Sequence, residues 1–271
     1  MKKLTLRETQ IEEYNTLKVI SQYLKNNNIK YYLYGGTCLG AIRHQGFIPW
    51  DDDIDIAIPR PDYEKLIEIL KENNNINDYI YATEFSLNNS LFPFIKIYNT
   101  QIKFYIEKDP YDRNLWIDVF PIDGLSNNYK KDYKKATKYY NEYGRKKEQI
   151  NHFFTKNKNK VKNILKKLYY LCILPRVDLN KLIEKYIKYC KHNDYNKSYY
   201  VGTIQWIGNL GDVIPKKWIG TNERLLKFED AEFPVFEECE KYLSQRYGKD
   251  YMELPPEEKR ESHNVTAWKG M

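Results

Sequence analysis

The chain has 271 residues, 42% of them hydrophobic, and a formal net charge of +7 at pH 7. This length can hold one large domain, or a core with an appended helical part. Four scattered cysteines without a Cys-x-x-Cys pair exclude a disulfide framework, and no apolar run is long enough to span a membrane. Because no signal-peptide pattern precedes the first elements, we expect a cytoplasmic protein with reduced thiols.

The first predicted elements lead to a pair of glycines. Apolar residues at helical spacing predict a helix over residues 6–27, and an apolar run predicts a strand over residues 31–34. Gly35 and Gly36 follow directly, and glycine lets the backbone turn tightly with its N–H groups exposed. A short helix over residues 37–43 is predicted next, so a phosphate could bind at its N-terminus.

Two side chains of this short helix are candidates to contact such a phosphate. Thr37 would offer a hydroxyl at the helix N-terminus, and Arg43 a guanidinium near the helix end. Alone, a glycine pair after a strand is a weak signal, because most such pairs form ordinary turns. The pair becomes specific in combination with the acidic segment that follows it.

The acidic segment, residues 51–55, places carboxylates on one side of a predicted strand. Asp51, Asp53 and Asp55 share one parity, whereas apolar residues occupy the other parity as far as Pro59. Crowded like charges repel one another unless a cation lies between them. Oxygen ligands without a nearby Cys or His favour Mg²⁺ or Mn²⁺. The alternative, a solvated acidic loop, is disfavoured because the segment continues into an alternating apolar strand.

A further acid, Asp118, is the lone charge in an apolar strand-like run over residues 115–120. A carboxylate buried there needs a cation or hydrogen-bond donors. Asp118 is therefore a candidate third acid of a metal-dependent phosphoryl-transfer site. The alternative is an aspartate that caps the end of the strand or pairs with a lysine.

The middle of the chain supplies the other predicted elements. A helix over residues 60–72 and strands over residues 92–98, 102–107 and 115–120 complete the predicted catalytic sheet, and residues 128–192 have a helical pattern. The expected fold class is α+β.

The C-terminal part is predicted to be mostly helical. Pro234 is expected to start a helix that Gly248 ends, and the remainder to be irregular. The chain is then divided into a catalytic core, residues 1–127, and a mostly helical part, residues 128–271. We expect the second part to pack on the core in one compact unit. We also expect it to line the side of the core where the substrate that accepts the phosphoryl group would bind.

Lysines crowd residues 130–167, interleaved with Tyr, Phe and Leu around a polar break at residues 157–162. The two basic helices predicted there could contact an anionic membrane peripherally, or hold a polyanionic substrate. The third alternative is an ordinary solvated helix surface. Nucleic acid is not expected as a partner, because no recognisable nucleic-acid-binding module accompanies the lysines.

The order of motifs along the chain resembles the LicD family. The motifs are GG, DDDID, IDVFPIDG, and YGKDYMELPPEEKR with a following histidine. LicD proteins are phosphocholine transferases and relatives within the nucleotidyltransferase superfamily, which includes DNA polymerase beta. The resemblance covers residues 5–130 strongly and residues 220–265 more weakly. It implies a nucleotidyltransferase-like mixed sheet flanked by helices.

The resemblance also implies roles for individual acids. Asp53 and Asp55 match the family's metal-binding pair, and Asp118 matches its third acid. Asp51 aligns with an acid that relatives often have. His263 resembles a C-terminal histidine whose role cannot be derived from the sequence, and an ordinary loop histidine is the favoured alternative.

Phosphate binding is implied for three further residues. Gly35 and Gly36 match the family's phosphate-binding glycines, and Lys96 resembles a family lysine placed to meet phosphate. The alternative for Lys96 is a solvent-facing lysine on an edge strand. A choline headgroup could in addition bind to aromatic rings by cation–π attraction, for which the candidates are Trp50, Trp116, Trp206 and Trp218.

The implied function is transfer of a phospho-alcohol from CDP-choline, or another CDP-alcohol, to a hydroxyl of a glycan or lipid-linked polysaccharide, with release of CMP. Mg²⁺ or Mn²⁺ at Asp53 and Asp55 would neutralise phosphate charge, and Asp118 would complete the site or accept a proton. The direction of transfer rests on the resemblance alone. A nucleotidyltransferase that adds a nucleoside monophosphate to a small molecule therefore stays open. A non-catalytic binding protein is disfavoured, because all the motif residues are present.

Overall fold

The protein is described by a computed structural model at residues 1–84, 92–106, 113–152, 164, 178–260 and 265–270. Six helices, α1 to α6, lie in this part of the chain: Leu6–Asn26, Gly35–His44, Arg60–Glu72, Tyr129–His152, Leu179–Cys190 and Cys239–Tyr247. Eleven strands, β1 to β11, are Lys2–Lys3, Tyr32–Leu33, Asp55–Pro59, Ile80–Thr83, Ile95–Ile106, Arg113–Leu125, Tyr200–Gly202, Val213–Pro215, Arg224–Phe228, Ala231–Val235 and Val265–Lys269. The predicted α+β class is confirmed. None of these six helices is both long and apolar enough to cross a membrane.

Helix α1 begins at its predicted position because Thr5 caps it. Thr5 and Glu8 form a capping box, in which each side chain accepts a hydrogen bond from the other residue's backbone N–H. Leu17, Ile20 and Leu24, which lie at helical spacing, are fully buried in the main core. This apolar stripe fixes the helix against the sheet.

A nine-stranded mixed sheet organises the core. Its strands lie in the order β1-β11-β5-β6-β3-β2, with β4 beside β5 and with β7 and β8 continuing from β6. β3 and β6 run parallel to each other, whereas the other neighbours in the sheet are antiparallel. Ile56, Ala57 and Ile58 of β3 are all fully buried, as expected for a strand covered on both faces.

Strand β5 joins two predicted strands into one. Residues 92–98 and 102–107 were predicted separately, whereas β5 runs from Ile95 to Ile106 with a register shift against β6 between Asn99 and Lys103. A β-bulge of this kind keeps one strand continuous while it interrupts the pairing.

The C-terminal part adds strands that the sequence did not predict. β11 pairs with β5, β7 pairs with β6, and β9 and β10 form a separate hairpin. The prediction of a helix from Pro234 was wrong, because Pro234 lies in β10 opposite Leu225 and α6 starts only at Cys239. Gly248 follows the end of α6, as predicted, with a φ of +101° that favours glycine. The sheet thus contains strands from both sides of residue 127.

Part of the predicted helical middle falls outside the described residues. Helices α4 and α5 confirm helical structure at residues 129–152 and 179–190. The polar break at residues 157–162 and the division at Pro175 lie outside the described part of the chain.

Candidate active site

Three predicted site residues lie in one row across the sheet. Asp55 of β3 is the register partner of Asp118 on β6, and Asp118 is in turn the partner of Lys96 on β5. Side chains of register partners point to the same face of a sheet. Lys96 Nζ donates a hydrogen bond to Asp118 Oδ1, and Lys96 is buried. The row therefore places two neighbouring carboxylates, Asp55 and Asp118, beside one ammonium at its end.

The acidic segment is a strand only at its end. β3 begins at Asp55, so Asp51 and Asp53 precede it, and the prediction that all three acids lie in a strand was wrong. The alternation nevertheless holds, because Asp51, Asp53 and Asp55 are half-buried while Asp52 is buried. The Asp52 carboxylate accepts a hydrogen bond from Val265 N–H at 3.3 Å, which ties the segment to β11.

Helix α2 starts at the glycine pair itself, two residues before the predicted start. Gly35 has a φ of +55°, in the left-handed region that favours glycine. A Cβ atom on Gly35 would lie 3.4 Å from Asp55 Oδ2, and one on Gly36 would lie 2.9 Å from Asp51 Oδ2. The glycine turn is therefore packed directly against the carboxylates.

One N–H group of the glycine turn already has an acceptor. Gly35 N–H donates to the Tyr242 hydroxyl at 3.2 Å, so the expected exposed donor is not available at Gly35. The first N–H groups of a helix have no acceptor within the helix. Those of Gly36 and Thr37 form no hydrogen bond with any described residue, so they are the donors that this part of the structure leaves at the turn.

Thr37 and Arg43 have structural partners in this arrangement. Thr37 Oγ1 accepts a hydrogen bond from Asp55 N–H at 2.9 Å, which fixes the start of β3. Arg43 NH1 donates to the carbonyl oxygens of Tyr251 at 2.8 Å and Glu253 at 3.1 Å. Phosphate binding by Thr37 and Arg43 stays a prediction. His263 lies outside the described residues.

Negative charge is concentrated around Asp55. Burial raises the pKa of Asp55 well above its usual range, and the neighbouring carboxylates Asp53, Asp118 and Asp51 raise it further. Such an arrangement attracts a cation. The positive charge of Arg246 lowers the pKa of Asp55 and so partly offsets these effects.

Glu13 on α1 lies behind this cluster and was not predicted as a site residue. Its carboxylate is fully buried, and no described group donates a hydrogen bond to either oxygen. Burial is the main reason that the pKa of Glu13 is raised well above its usual range. The negative charges of nearby carboxylates raise it further, namely those of Asp53, Asp52, Asp51 and Asp55. A mid-helix glutamate gave no signal in the sequence, because only the fold brings it to the acidic segment.

The donor set fits a cation that substrate oxygens help to hold. Within the described residues, no group of three or more His, Cys, Asp or Glu side chains is arranged as a complete metal centre. Asp118 is instead bonded to Lys96. Mg²⁺ usually binds one or two carboxylates together with substrate phosphates. Asp53 and Asp55 are the residues that would supply those carboxylates.

Aromatic rings surround Lys96. Its ammonium lies 4.7 Å from the ring centre of Phe92, 5.6 Å from that of Phe94 and 4.6 Å from that of Trp116. Trp206 packs on Phe94 with ring centres 5.2 Å apart. Of the four tryptophans considered from the sequence, Trp116 and Trp206 thus belong to the surroundings of this lysine. The rings position the ammonium that pairs with Asp118.

Comparison with known proteins decides the family. The model of the family described as "LicD/FKTN/FKRP, nucleotidyltransferase domain" matches residues 28–155. The chain is also 32% identical over 271 aligned residues to the lipopolysaccharide cholinephosphotransferase LicD of Haemophilus influenzae, and the match covers 98% of both chains. The chain belongs to the LicD family. It is accordingly an enzyme of the transferase class.

Shorter matches accompany this full-length similarity. A stretch of 59 residues, 22% of the chain, is 49% identical to an uncharacterized protein of Rickettsia prowazekii and covers 22% of it. A stretch of the same length is 48% identical to an uncharacterized protein of Rickettsia typhi and covers 19% of it. The LicD family model includes the glycine turn, the acids and Lys96, but it ends well before α6.

Proposed function

We propose that this protein transfers phosphocholine, or a related phospho-alcohol, from a CDP-activated donor to a hydroxyl of a cell-surface glycan or teichoic-acid precursor and releases CMP. Similarity over the full chain to a cholinephosphotransferase supports this proposal. The observation that carries it is the row of Lys96, Asp118 and Asp55 beside the Gly35-Gly36 turn. We also assign the sheet to the nucleotidyltransferase superfamily, because the motif order is that of the LicD domain.

The first turn of α2 and the acids would hold the donor. The N–H groups of Gly36 and Thr37 would donate to the diphosphate. Asp53 and Asp55 would hold Mg²⁺ or Mn²⁺, with phosphate oxygens completing the ligand set. When bound, the ion neutralises the charge of the phosphates. The raised pKa of Asp55 supports this role, since a carboxylate crowded by like charges gains from a nearby cation.

Asp118 and Lys96 would act on the reacting groups. The acceptor hydroxyl attacks the phosphorus of the phospho-alcohol, the bond from that phosphorus to the CMP oxygen breaks, and the hydroxyl proton passes to Asp118. Lys96 forms an ion pair with Asp118. As the donor enters, the Lys96 ammonium would contact phosphate and leave the Asp118 carboxylate able to take the proton.

The second candidate is transfer of a nucleoside monophosphate from a nucleoside triphosphate to a small molecule. The glycines and acids would serve that reaction equally well, because both donors contain a phosphoanhydride whose negative charge a bound metal ion would neutralise. The two differ in the product, which is CMP in the first and pyrophosphate in the second. A non-catalytic role has lost its support, because the chain belongs to an enzyme family.

Product analysis with defined donors tests the proposal. The purified protein is incubated with CDP-choline, CDP-ribitol, CDP-glycerol or CTP in Mg²⁺ or in EDTA, with a glycan acceptor present. Release of CMP from one CDP-alcohol, in Mg²⁺ only, is expected for wild type and for Asp78→Asn, an exposed aspartate used as control. Pyrophosphate from CTP, without CMP from any CDP-alcohol, would favour the second candidate.

The basic face of α4 is the proposed acceptor side. Lys131, Lys134, Lys138 and Arg145 are exposed and form no ion pair with any described residue. A polyanionic or lipid-linked acceptor would complement these charges. Peripheral membrane contact through residues 130–167 and a cytoplasmic location at the inner face of the membrane stay predictions.

A further inference from the structure

Arg246, in the last turn of α6, reaches the glycine turn and lies close to it together with Asp55. A Cβ atom on Gly35 would lie 3.8 Å from Arg246 NH2 and 3.4 Å from Asp55 Oδ2. The Tyr247 hydroxyl would lie 3.9 Å from the same atom. A guanidinium, a carboxylate and a phenol hydroxyl therefore all lie near the same point of the first turn of α2.

The guanidinium of Arg246 is held rigidly by its neighbours. It forms an ion pair with Asp212, whose side chain is almost fully buried. It also lies 5.5 Å from the ring centre of Tyr34 and 5.2 Å from that of Tyr247. A planar cation fixed between rings and a carboxylate loses little freedom when it binds a further anion.

The guanidinium retains donor capacity that the described residues do not use. Arg246 Nε is buried, and no described group accepts a hydrogen bond from it. The side chain is nevertheless 18% exposed, and its NH2 group is the part that lies near Gly35. A buried N–H group without an acceptor is costly, and it points to an anion that is bound during function.

We propose that Arg246 binds the diphosphate of the donor at the glycine turn, beside Asp55. This assignment rests on the proposed function. The diphosphate would contact both the cation held by the acids and the guanidinium, whose fork of N–H groups suits phosphate oxygens. The Tyr247 hydroxyl would be the neighbouring donor. Helix α6, which the family model does not include, would then complete the active site.

A purely structural role for Arg246 makes a different prediction. If the guanidinium served only to neutralise Asp212, its replacement would lower thermal stability and leave phosphate affinity unchanged in the folded protein. If it binds phosphate, the affinity falls even where stability is retained. Binding without metal separates the two roles, because the acids then contribute no attraction to the ligand.

The test is calorimetric binding of CDP and of inorganic pyrophosphate in EDTA to wild type, Arg246→Gln, Arg246→Lys and Arg224→Gln. Arg224 is the matched control, since it also forms an ion pair with a carboxylate, that of Glu240, and is not among the groups nearest to Gly35. We expect Arg246→Gln to weaken binding of both ligands roughly 10- to 100-fold, the loss of one or two charge-assisted hydrogen bonds. Arg224→Gln should bind like wild type.

The lysine variant keeps the test decisive if Arg246→Gln does not fold. Arg246→Lys retains the ion pair with Asp212 but loses the planar fork, so we expect weaker binding at an unchanged melting temperature. Affinity within twofold of wild type in a folded Arg246 variant would overturn the assignment. If wild type releases no CMP from any CDP-alcohol, the proposed function is refuted instead. The pyrophosphate affinities of wild type and the Arg246 variants would still test the assignment of Arg246.

Discussion

Burial and neighbouring carboxylates raise the free energy of the negative charge on single residues of the site. Asp55 is crowded by Asp53, Asp118 and Asp51, and burial adds to the cost of its negative charge. Alternation of the acids was predictable from the sequence, because parity depends only on local spacing. The ion pair of Asp118 with Lys96 was not, since it depends on the register between β5 and β6. The structure thus shows the lysine pairing of Asp118, and its role as the third acid stays a prediction.

Asp55→Asn is expected to stabilise the metal-free protein. Removing one charge of the cluster relieves repulsion, so the melting temperature at pH 7 in EDTA should rise by about 2–4 °C, the shift that ~1 kcal/mol produces in a protein of this size. Differential scanning calorimetry measures this shift. The control Asp78→Asn, a change at an exposed position, should leave the melting temperature nearly the same as that of wild type. A lower melting temperature for Asp55→Asn would contradict the electrostatic account.

The burial of Glu13 leads us to expect that the free energy of unfolding depends on pH. The pKa of Glu13 in the folded protein is raised above the ordinary glutamate value, so the folded state keeps a proton that the unfolded chain releases. Stability contributed by this group therefore falls as the pH rises from the ordinary value through the raised one. Glu13→Gln removes this loss and should raise the melting temperature at pH 7–8 but not near pH 4. Melting curves across that range measure it, and an equal shift at every pH would refute the assignment.

Elements with strong local signals were predicted well. The capped helix α1, helix α3 and the stop of α6 at Gly248 follow from spacing and capping chemistry within a few residues. β10 was mistaken for the start of a helix, because Pro234 is as compatible with the first turn of a helix as with a hairpin strand. Pairing with β9 makes this segment a strand. The sequence of one segment does not show which other segment it pairs with.

The first turn of α2 gives a prediction at the scale of an element. Gly36→Ala places a Cβ atom 2.9 Å from Asp51 Oδ2, so the carboxylate must move while the helical backbone stays compatible with alanine. Transfer activity should fall by about 100-fold, the cost of a misplacement near 1 Å, with little change in melting temperature. The rate of CMP release measures the effect.

Gly144→Ala in α4 is the matched control for this change. No atom of the described residues lies within 4 Å of its added Cβ, so activity should be unchanged and stability should rise by ~0.5–1 kcal/mol, as for a glycine in a helix interior. Full activity of Gly36→Ala would show that the turn is not packed against the reacting groups.

The whole molecule brings residues distant in the sequence to one site. Acids from β3 and β6, the glycine turn of α2, Glu13 of α1 and Arg246 of α6 meet at one region of the sheet. The sequence predicted the N-terminal part of this site from compact motifs. Glu13 and Arg246 escaped prediction because their positions depend on how α1 and α6 pack, which no local pattern encodes.

The basic face of α4 gives a prediction at the scale of the molecule. The triple variant Lys131→Gln, Lys134→Gln, Lys138→Gln should weaken binding of an anionic glycan acceptor and reduce its dependence on salt, because exposed charges act over about 10 Å at 0.1 M salt. The control removes equal charge from α5 through Lys181→Gln, Lys185→Gln, Lys188→Gln, which are exposed as well. Equal weakening by both triples would mean that net charge, and not this face, attracts the acceptor.

The central claim is that the acids beside the glycine turn drive metal-dependent transfer from a CDP-alcohol. Its most direct measurement is CMP release from CDP-choline by wild type and by Asp55→Asn, with Mg²⁺ and with EDTA. The account predicts release by wild type in Mg²⁺ alone, and at least a ~1,000-fold lower rate for the folded variant in either condition. CMP release by Asp55→Asn at the wild-type rate, or by wild type equally well in EDTA, would contradict it.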